Sequence, residues 1–335
     1  MGERPRRNMA FELVRATEAA AMVAARRLAL EERDGANPAA VAAMRLVLQT
    51  IEMDGVVVVG EGEKHVAALL HHGEIIGTGR PPAVDVAADP IEGTPVRALG
   101  RPHTLSLAAL AERWSMWDPG PSVYVEEIVA GRAAREALDL RLGPTRNLAR
   151  IAEALRCRVA DLNVFVLDKP RHAELIQEIR AAGARIQAQS GGFVAGAILA
   201  ATPGTGVDVM LSVGRASEAV LAAAAVRGLG GALQIRRAPQ SQEERARVQA
   251  LGPAADEILT EHDMIRSEDV FFAATGITDG SLLGGVRFGR EGVTTESLVT
   301  HARSGTVRTI RAVHQLDKLM RFSQIDYTSG GGPQA

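Results

Sequence analysis

Hydrophobic positions in the first fifty residues recur at the spacing of an α-helix. Residues 9–30, MAFELVRATEAAAMVAARRLAL, are also dense in good helix formers, which predicts a long helix that packs on a sheet. A second helix is predicted through AAVAAMRLVLQTI, with Asn37 as its N-cap and Pro38 at its first helical position. Two helices are therefore expected before any strand.

Runs of apolar residues, some alternating with polar ones, follow the two helices and predict β-strands. Glycine and proline separate the runs and indicate turns between them. The first half of the chain is therefore rich in predicted strands. They are GVVVVG (55–60), AVDVAAD (83–89), TLSLAAL (104–110) and SVYVEEIVAG (122–131).

From residue 145 the pattern changes to a regular alternation of helices and short apolar strands that continues to residue 236. Such alternation predicts right-handed βαβ units on a mostly parallel sheet. A charged helix and two further strands are predicted after it. We therefore expect an α/β fold with a strand-rich domain at 1–160, an alternating βα domain at 161–325 and a disordered tail at 326–335.

Composition argues against some classes of protein. The formal net charge is −2 with no block of like charges, so no basic surface for a nucleic acid is expected. The longest apolar stretches are far shorter than the roughly 20 residues that span a bilayer, and the N-terminus has no segment of signal-peptide type. Cys157 is the sole cysteine, so no internal disulfide can form. We expect a soluble, cytoplasmic protein that binds neither nucleic acid nor membranes.

The segment VDVAADPIEGTP (84–95) ends a predicted strand with residues that strands avoid. Pro90 stops the strand after Asp89 because it lacks a backbone N–H. The turn that follows brings Glu92 close to Asp89, so that their carboxylates can share a hard cation, with the Ile91 carbonyl oxygen as a further ligand. A plain β-turn with solvated acids explains the segment about equally well.

Further candidate residues lie beside this turn and after another strand. Gly93 permits close backbone approach, and Thr94 adds a hydroxyl at a predicted helix start that favours a phosphate. In VVVVGEGEK, Glu61 and Glu63 follow a four-valine strand. Both acids leave the same sheet edge as Asp89 if the two strands are neighbours, although acids at strand ends are also simply where chains reach solvent.

A third acidic position is Glu218, in the first turn of the predicted helix SEAVLAAAAVRGL. The helix dipole alone favours an acid there, so a structural role explains Glu218 as well. Hard oxygen ligands without paired cysteines indicate Mg²⁺ or Mn²⁺ rather than zinc. Substrate phosphates typically complete such sites, which favours phosphoester hydrolysis. The sequence has no Walker loop, kinase signature or dinucleotide fingerprint.

Five motifs resemble the class II fructose-1,6-bisphosphatase family, in order and from about Met9 to Lys318. They are DGVVVVGEGEK, VDVAADPIEGT, VLDKPRH, ATGITDGSLLGGV, and TTESL followed by TVRTIRAVHQLDK. DPIEGT is also similar to the metal-binding signature of the wider lithium-sensitive, metal-dependent sugar phosphatases. The resemblance implies a layered α/β fold of two domains with the site in the cleft between them.

The resemblance and the chemistry above together give a set of candidate site residues. The metal positions are Glu61, Asp89, Ile91, Glu92, Glu218 and, where the family has an aspartate, Asn37. The residues expected to activate or orient the attacking water are Thr94, with Glu63 or His65. The substrate positions are Glu92, Gly93, Thr94, Tyr124, Lys169, Pro170, Arg171 and Arg215. Lys169 suits a phosphate as a point charge and Arg171 suits it as a fork, although DKPRH also reads as an ordinary strand end and helix start.

The chain departs from the family pattern near the expected metals. Asn37 can cap a helix but carries no charge, so one metal should bind more weakly. After GEGE the family continues with an acidic pair, whereas this chain has His65 and Val66. His65 either substitutes as a base or is simply solvated.

It also departs in the expected sugar pocket. Two acids that would hold sugar hydroxyls are lost where the family's DGD is replaced by Gly191, Gly192 and Phe193, and Phe193 is expected to present an apolar face there. Glu127 replaces a lysine. Arg215 replaces a glycine and is large enough to fill sugar space or to bind another anion.

Three functional hypotheses follow. The first is metal-dependent hydrolysis of fructose 1,6-bisphosphate to fructose 6-phosphate, an activity of carbohydrate metabolism and gluconeogenesis. The second is a paralogue that acts on another sugar or cyclitol phosphate, and the third is a catalytically weakened relative that binds a phosphosugar or a partner. A homo-oligomer is also expected. The alanine-rich segments AVLAAAAV and AMVAARRLAL would either form its interface or pack in the core.

Overall fold

The computed structural model of the chain describes residues 8–30, 33–62, 69–92 and 102–328. Its α-helices within these ranges are α1 (Ala10–Ala29), α2 (Arg33–Leu48), α3 (Gly143–Leu155), α4 (Ala173–Ala181), α5 (Phe193–Ala201), α6 (Ala216–Leu229), α7 (Gln242–Gln249), α8 (Glu261–Met264) and α9 (Leu316–Ser323). Its strands are β1 (Asp54–Val59), β2 (Ile75–Ile76), β3 (Ala83–Asp89), β4 (Leu105–Glu112), β5 (Tyr124–Ala130), β6 (Asn163–Leu167), β7 (Arg185–Gln189), β8 (Val209–Arg215), β9 (Ala232–Arg237), β10 (Ile258–Thr260), β11 (Phe271–Gly276), β12 (Arg287–Gly289), β13 (Gly292–His301) and β14 (Thr306–His314).

Strands from both ends of the chain build the first sheet. Its order is β12-β13-β11-β4-β3-β1-β2, and β14 pairs with β13. β1 and β3 are parallel neighbours, whereas β4 is antiparallel to β3 and β11 is antiparallel to β4. Parallel neighbours end at the same edge of a sheet. The conditional prediction that Glu61 and Asp89 leave one edge is therefore confirmed.

The second sheet has the order β10-β9-β5-β8-β6-β7. β6 is parallel to β7 and to β8, but β5 lies between β8 and β9 and is antiparallel to both. The expectation of a mostly parallel sheet is therefore wrong here, because local periodicity does not specify which strand edges pair. β5 joins this sheet and β11–β14 return to the first, so each sheet draws on separated parts of the chain. The domain boundary near residue 160 stays a prediction.

Helices cover both sheets and also separate them. α1 and α2 pack against one face of the first sheet, and α3 and α4 pack against one face of the second. α5 and α6 lie in a core that both sheets share, with Leu107 of β4 on one side and Val125 of β5 on the other. This arrangement confirms the layered α/β fold.

The two central helices are buried on every side. Each residue of α6 from Ala219 to Val226 is fully buried, and all nine residues of α5 are buried. A helix that is apolar all round is expected in such a position. The interpretation of AVLAAAAV as an oligomer interface is therefore wrong, and residues 21–24 of α1 are also in the core. The prediction of a homo-oligomer stays untested.

α2 differs from its prediction at the N-terminus. It begins at Arg33, so Asn37 and Pro38 lie inside the helix and not at its N-cap. An interior proline removes one backbone hydrogen bond from the helix. Asn37 instead uses its side chain in the site described below. In the part of the chain that the structure describes, no helix is long and apolar enough to cross a bilayer.

Candidate active site

The candidate site forms where two strand ends meet two helix starts. β3 ends at Asp89, and Glu61 follows the end of β1, which lies beside β3 in the first sheet. α5 and α6 begin near these strand ends. The free N–H groups of helix N-termini favour anionic groups, so the position suits both carboxylates and a phosphate.

The turn after β3 carries Asp89 and Glu92, and the charge of Asp89 contributes to the raised pKa of Glu92. The backbone N–H of Ile91 donates to Asp89 Oδ1 at 3.2 Å, and the backbone N–H of Glu92 donates to the Leu105 carbonyl at 2.8 Å. Pro90 and Ile91 are buried beneath this turn. The backbone of the turn is therefore held against β4.

Glu92 is held by the N-terminus of α5. Its Oε1 atom accepts a hydrogen bond from the Val194 backbone N–H at 2.5 Å, and the Ala195 N–H stabilises the same carboxylate. Glu92 is 5% exposed, and its Oε2 atom has no hydrogen-bond partner among the described residues. One carboxylate oxygen is therefore fixed by the helix while the other is available to a ligand.

Asn37 reaches Glu61 from α2. Its Nδ2 atom donates to Glu61 Oε2 at 3.0 Å, and its Oδ1 atom is buried without a hydrogen-bond partner in the described structure. The amide thus uses one Glu61 oxygen that an acid at position 37 would leave for a metal. The structure thus brings Asn37 and Glu61 into contact, and their assignment as metal ligands stays a prediction.

Glu218 enters from the first turn of α6. Its Oε2 atom accepts from the Arg215 backbone N–H at 3.2 Å, and the residue is 8% exposed. Burial raises the pKa of Glu218, while that N–H and the positive charges of Arg215, Arg171 and Lys169 oppose the increase. Glu218 therefore combines the dipole-favoured position at a helix start with a place in the acid cluster.

The acids influence one another electrostatically. Burial raises the pKa of Asp89 well above its usual range, and the charges of Glu61 and Glu218 raise it further. Burial also raises the pKa of Glu92 well above its usual range, with the charge of Glu218 as the next cause. The pKa of Glu61 is raised by burial as well. Several buried carboxyl groups cannot all ionise at low cost unless a cation is present.

The chemistry of this donor set fits a hard divalent cation. It consists of carboxylate, amide and backbone carbonyl oxygens, and Glu92 Oε2 and Asn37 Oδ1 are buried without partners. Among the described residues, no three His, Cys, Asp or Glu side chains converge closely enough to hold an ion by themselves. A bound ion would therefore take part of its coordination from the Asn37 amide, backbone carbonyls, water or substrate oxygens.

A cationic group borders the acids at the end of β8. Tyr124 and Arg215 are cross-strand partners, and the Arg171 guanidinium lies 5.0 Å from the centroid of the Tyr124 ring. Arg171 donates from Nε and Nη2 to the Val213 carbonyl at 3.2 and 2.9 Å. Lys169 Nζ donates to the Ser190 carbonyl at 2.7 Å. Four of the predicted substrate residues thus lie beside the acid cluster, and their role in binding a substrate stays a prediction. They are Tyr124, Lys169, Arg171 and Arg215.

His172 positions this cationic segment, and the sequence interpretation missed it. Its Nδ1 atom lies 2.6 Å from the Leu167 carbonyl, and its Nε2 atom accepts from the Val213 N–H at 2.8 Å. The imidazole is fully buried and joins β6 to β8 directly beside Pro170 and Arg171. The only signal in the sequence is a histidine one residue after the lysine-proline-arginine run.

Replacing His172 with glutamine is expected to reduce the dependence of stability on pH. Burial lowers the pKa of His172, so the unfolded chain takes up a proton below about pH 6.5 before the folded chain does. Wild-type stability is therefore lost as the pH falls from ~6.5 through the folded pKa. Urea unfolding at two pH values on either side of that range should show a smaller difference for His172→Gln than for wild type. His71→Gln is the matched control, and equal differences for both variants would contradict the prediction.

Some predicted residues lie outside the described part of the chain or differ from expectation. Glu63, His65, Gly93 and Thr94 are outside the described residues. Phe193 does not present its ring to an open pocket, because it is 2% exposed and packs in the core shared by the sheets. A Cβ atom built on Gly214 would lie 2.2 Å from the Phe193 ring, so the ring occupies the space that this glycine leaves.

Glu127, which the sequence analysis noted only as a replacement for a lysine, is a second residue whose environment was not predicted. It alternates with Val125 and Val129 along β5 and is fully buried. Strand periodicity could have located it, since an acid at an apolar position of an alternating strand must point into the core.

Comparison with known proteins gives a consistent result. The family model described as "Bacterial fructose-1,6-bisphosphatase, glpX-encoded" matches residues 7–314. The "Fructose-1,6-bisphosphatase 1 class 2" of Escherichia coli strain K12 is 38% identical over 326 residues, which cover 93% of this chain and 97% of that protein. The "Fructose-1,6-bisphosphatase class 2" proteins of Escherichia coli O6:H1 and Shigella flexneri match with the same 38% identity and coverage.

Proposed function

Because the chain belongs to the bacterial class II fructose-1,6-bisphosphatase family, we propose that it hydrolyses fructose 1,6-bisphosphate to fructose 6-phosphate and phosphate. The observation that supports this proposal is that Glu61 and Asp89 leave the same edge of the first sheet, where the charges of Glu61 and of Glu218 from α6 both raise the pKa of Asp89. No comparison supports the alternatives of another sugar or cyclitol phosphate or of a non-catalytic relative. The reaction would place the chain in carbohydrate metabolism and, in this direction, in gluconeogenesis.

The metal-binding residues in this proposal are those at the strand and helix ends. Glu61, Asp89, Glu92 and Glu218, with the Ile91 carbonyl and the Asn37 amide, would hold divalent cations, either Mg²⁺ or Mn²⁺. When bound, such cations supply charge that polarises the phosphoryl group and offsets the negative charge of its oxygens. Asn37 contributes a neutral oxygen in place of a carboxylate.

The chain's own cations would bind and orient the substrate. Arg171 would offer a phosphate the N–H groups that it does not donate to Val213, and its stacking on Tyr124 limits the orientations of the fork. Lys169 adds a compact positive charge, and Pro170 sets the turn between the two. Arg215, whose charge acts on Glu61, Asp89 and Glu218, would bind an anionic group of the substrate that reaches the acid cluster.

The residues that would prepare the attacking water are assigned from the motifs. Thr94 would hold the water through its hydroxyl, and Glu63 or His65 would accept its proton. Glu92 and Gly93 would contact the phosphate from the turn after β3. These assignments are tested by the same assay as the activity, with Thr94→Val as the first variant.

A phosphate-release assay tests the proposed function. The full chain, freed of metal by chelation, is given fructose 1,6-bisphosphate with Mg²⁺ or with Mn²⁺. We expect release of one phosphate and formation of fructose 6-phosphate, with much slower release from sugar monophosphates and cyclitol phosphates. A rate no higher than that of the metal-free control for every compound would refute the proposal. We also propose that the enzyme is a cytoplasmic homo-oligomer, which light scattering and fractionation would test.

Replacing Asn37 with aspartate is expected to increase Mn²⁺ affinity by about tenfold. The change replaces an amide that donates to Glu61 Oε2 with a carboxylate, so both residues can turn oxygens toward one ion. Calorimetric titration of the metal-free protein measures the effect. Asn8→Asp is the matched control, since the Asn8 side chain accepts from the Ala10 N–H at the start of α1, outside the site. Unchanged or weaker Mn²⁺ binding by Asn37→Asp would show that Asn37 is not a metal position.

A further inference from the structure

Glu127 is a fully buried acid that the phosphatase proposal does not use. Val125 and Val129, two residues before and after it, belong to the core between the sheets, whereas Ile128 belongs to the core on the other face. Strand alternation therefore places Glu127 on the face that packs against α5 and α6. The residue has no exposed surface at all.

Neither carboxylate oxygen of Glu127 has a hydrogen-bond partner among the described residues. No ion pair of Glu127 is found in that part of the chain either. Buried polar groups in folded proteins are almost always hydrogen-bonded, and a lone buried carboxyl group is strongly unfavourable. An unpartnered buried carboxyl group is therefore a candidate position for a bound ion or water.

The pKa of Glu127 is raised by burial and by the charge of Glu218. α6 packs against β5, and Glu218 in its first turn is 8% exposed. The charge of Glu218 acts in the same way on Glu92, whose Oε2 atom also lacks a partner. The charge of Glu218 therefore acts on two buried carboxyl groups with unpartnered oxygens. The described residues supply no cation in ion-pair contact with Glu127.

The neighbours of Glu127 within the sheet favour a small, hard cation over an organic ligand. Its cross-strand partner on β8 is Ser212, which is 1% exposed, and its partner on β9 is Ile235, which is also buried. Ser212 offers a hydroxyl oxygen, and Ile235 offers no polar side-chain atom. Mg²⁺ and Mn²⁺ are commonly held by one or two carboxylates with water or other oxygens completing the shell.

We propose that Glu127 and Glu218 together hold a divalent cation, at a site additional to the one formed by Glu61, Asp89 and Glu92. Two carboxylates with water are sufficient for such an ion, so no third acid is needed. The cation would offset the charge of both buried carboxylates and tie the first turn of α6 to β5. It would also fix the carboxylate of Glu218, which the phosphatase proposal assigns to the neighbouring metals.

Counting bound Mn²⁺ tests this proposal. The full chain is freed of metal by chelation, titrated with Mn²⁺, and the number of ions bound is determined by calorimetry and by electron paramagnetic resonance of the free ion. We expect Glu127→Gln to bind one Mn²⁺ fewer than wild type and to show a smaller rise in melting temperature on addition of Mn²⁺. Glu126→Gln is the matched control on the opposite face of β5, where Glu126 pairs with Arg236 at 2.6 Å, and it should bind the wild-type number.

A second variant guards against an effect of misfolding. Glu127→Leu fills the same space with an apolar side chain, so its metal-free form should melt at a higher temperature than wild type while also binding one Mn²⁺ fewer. Wild-type Mn²⁺ numbers in both Glu127→Gln and Glu127→Leu would overturn the proposal, as would a lower melting temperature for metal-free Glu127→Leu.

The experiment separates this site from the proposed phosphatase function. Mn²⁺ is counted without substrate, so an inactive wild-type protein would refute the function while leaving the additional site in place. Conversely, an active wild type whose Mn²⁺ number does not change in the Glu127 variants would refute the additional site alone.

Discussion

Asp89→Asn is expected to lower kcat/KM for fructose 1,6-bisphosphate by at least about 10³-fold, which corresponds to roughly 4 kcal/mol of transition-state stabilisation. Asp89 is the acid on which the charges of both Glu61 and Glu218 act, so it is central to the proposed metal group. Asparagine keeps the side-chain oxygen that accepts from the Ile91 N–H, so the turn should be preserved. Steady-state kinetics at saturating Mn²⁺ provides the measurement.

The same variant should be more stable than wild type when no metal is present, because the amide removes one charge from a buried acid cluster. The raised pKa of Asp89 means that the folded chain retains a proton which the unfolded chain releases above about pH 4. Metal-free wild type should therefore lose stability as the pH rises from ~4 through the raised pKa, and Asp89→Asn should lose less.

Asp118→Asn, at an exposed position, is the control for Asp89→Asn. Thermal unfolding at several pH values measures stability. Together with the kinetics, it should show that Asp89→Asn is less active than wild type but more stable without metal. More than a tenth of wild-type activity in Asp89→Asn, or a lower melting temperature without metal, would contradict the assignment of Asp89 to the metal group.

Arg171→Ala is expected to raise the KM for fructose 1,6-bisphosphate by about 30-fold to 100-fold and to change kcat much less. Charged hydrogen bonds to a phosphate contribute roughly 1.5–3 kcal/mol each, and alanine removes every hydrogen bond that the Arg171 guanidinium would donate to the phosphate. The KM of Arg171→Lys should lie between those of wild type and Arg171→Ala, because lysine keeps the charge but not the planar fork.

Arg180→Ala on the exposed face of α4 is the matched control for Arg171→Ala. Both variants should keep the wild-type far-UV circular dichroism spectrum, since Arg171 is itself exposed. If Arg171→Ala and Arg180→Ala have the same KM within about twofold, Arg171 does not bind the substrate phosphate.

Several site residues could be predicted because their positions depend on neighbours in the sequence. Asp89 lies at a strand end because Pro90 follows it, and Glu92 lies near it because a turn must come next. Glu61 follows a four-valine strand in the same way. The structure confirms that β1 and β3 are parallel neighbours, so the two local predictions meet at one edge.

Other features depend on residues far apart in the sequence and could not be predicted. Strand periodicity can place Glu127 on the core face of β5, but its lack of a partner there depends on β5 lying between β8 and β9 with α6 packed against it. The role of His172 requires β8 beside β6, since its Nε2 atom accepts from Val213, 41 residues away. Asn37 donates to Glu61, 24 residues away, from a position inside α2. The local pattern predicted Asn37 at the N-cap instead.

The sequence by itself determined most helices and strands and the ends at which the acids lie, because apolar periodicity and chain-breaking residues act within a few positions. Only the tertiary structure decided the antiparallel placement of β5, the burial of the alanine-rich α6 between two sheets, and the contacts of Glu127, His172 and Asn37. These features depend on which edges and faces pair across long separations, and that choice is made by the packing of the whole core rather than by local pattern.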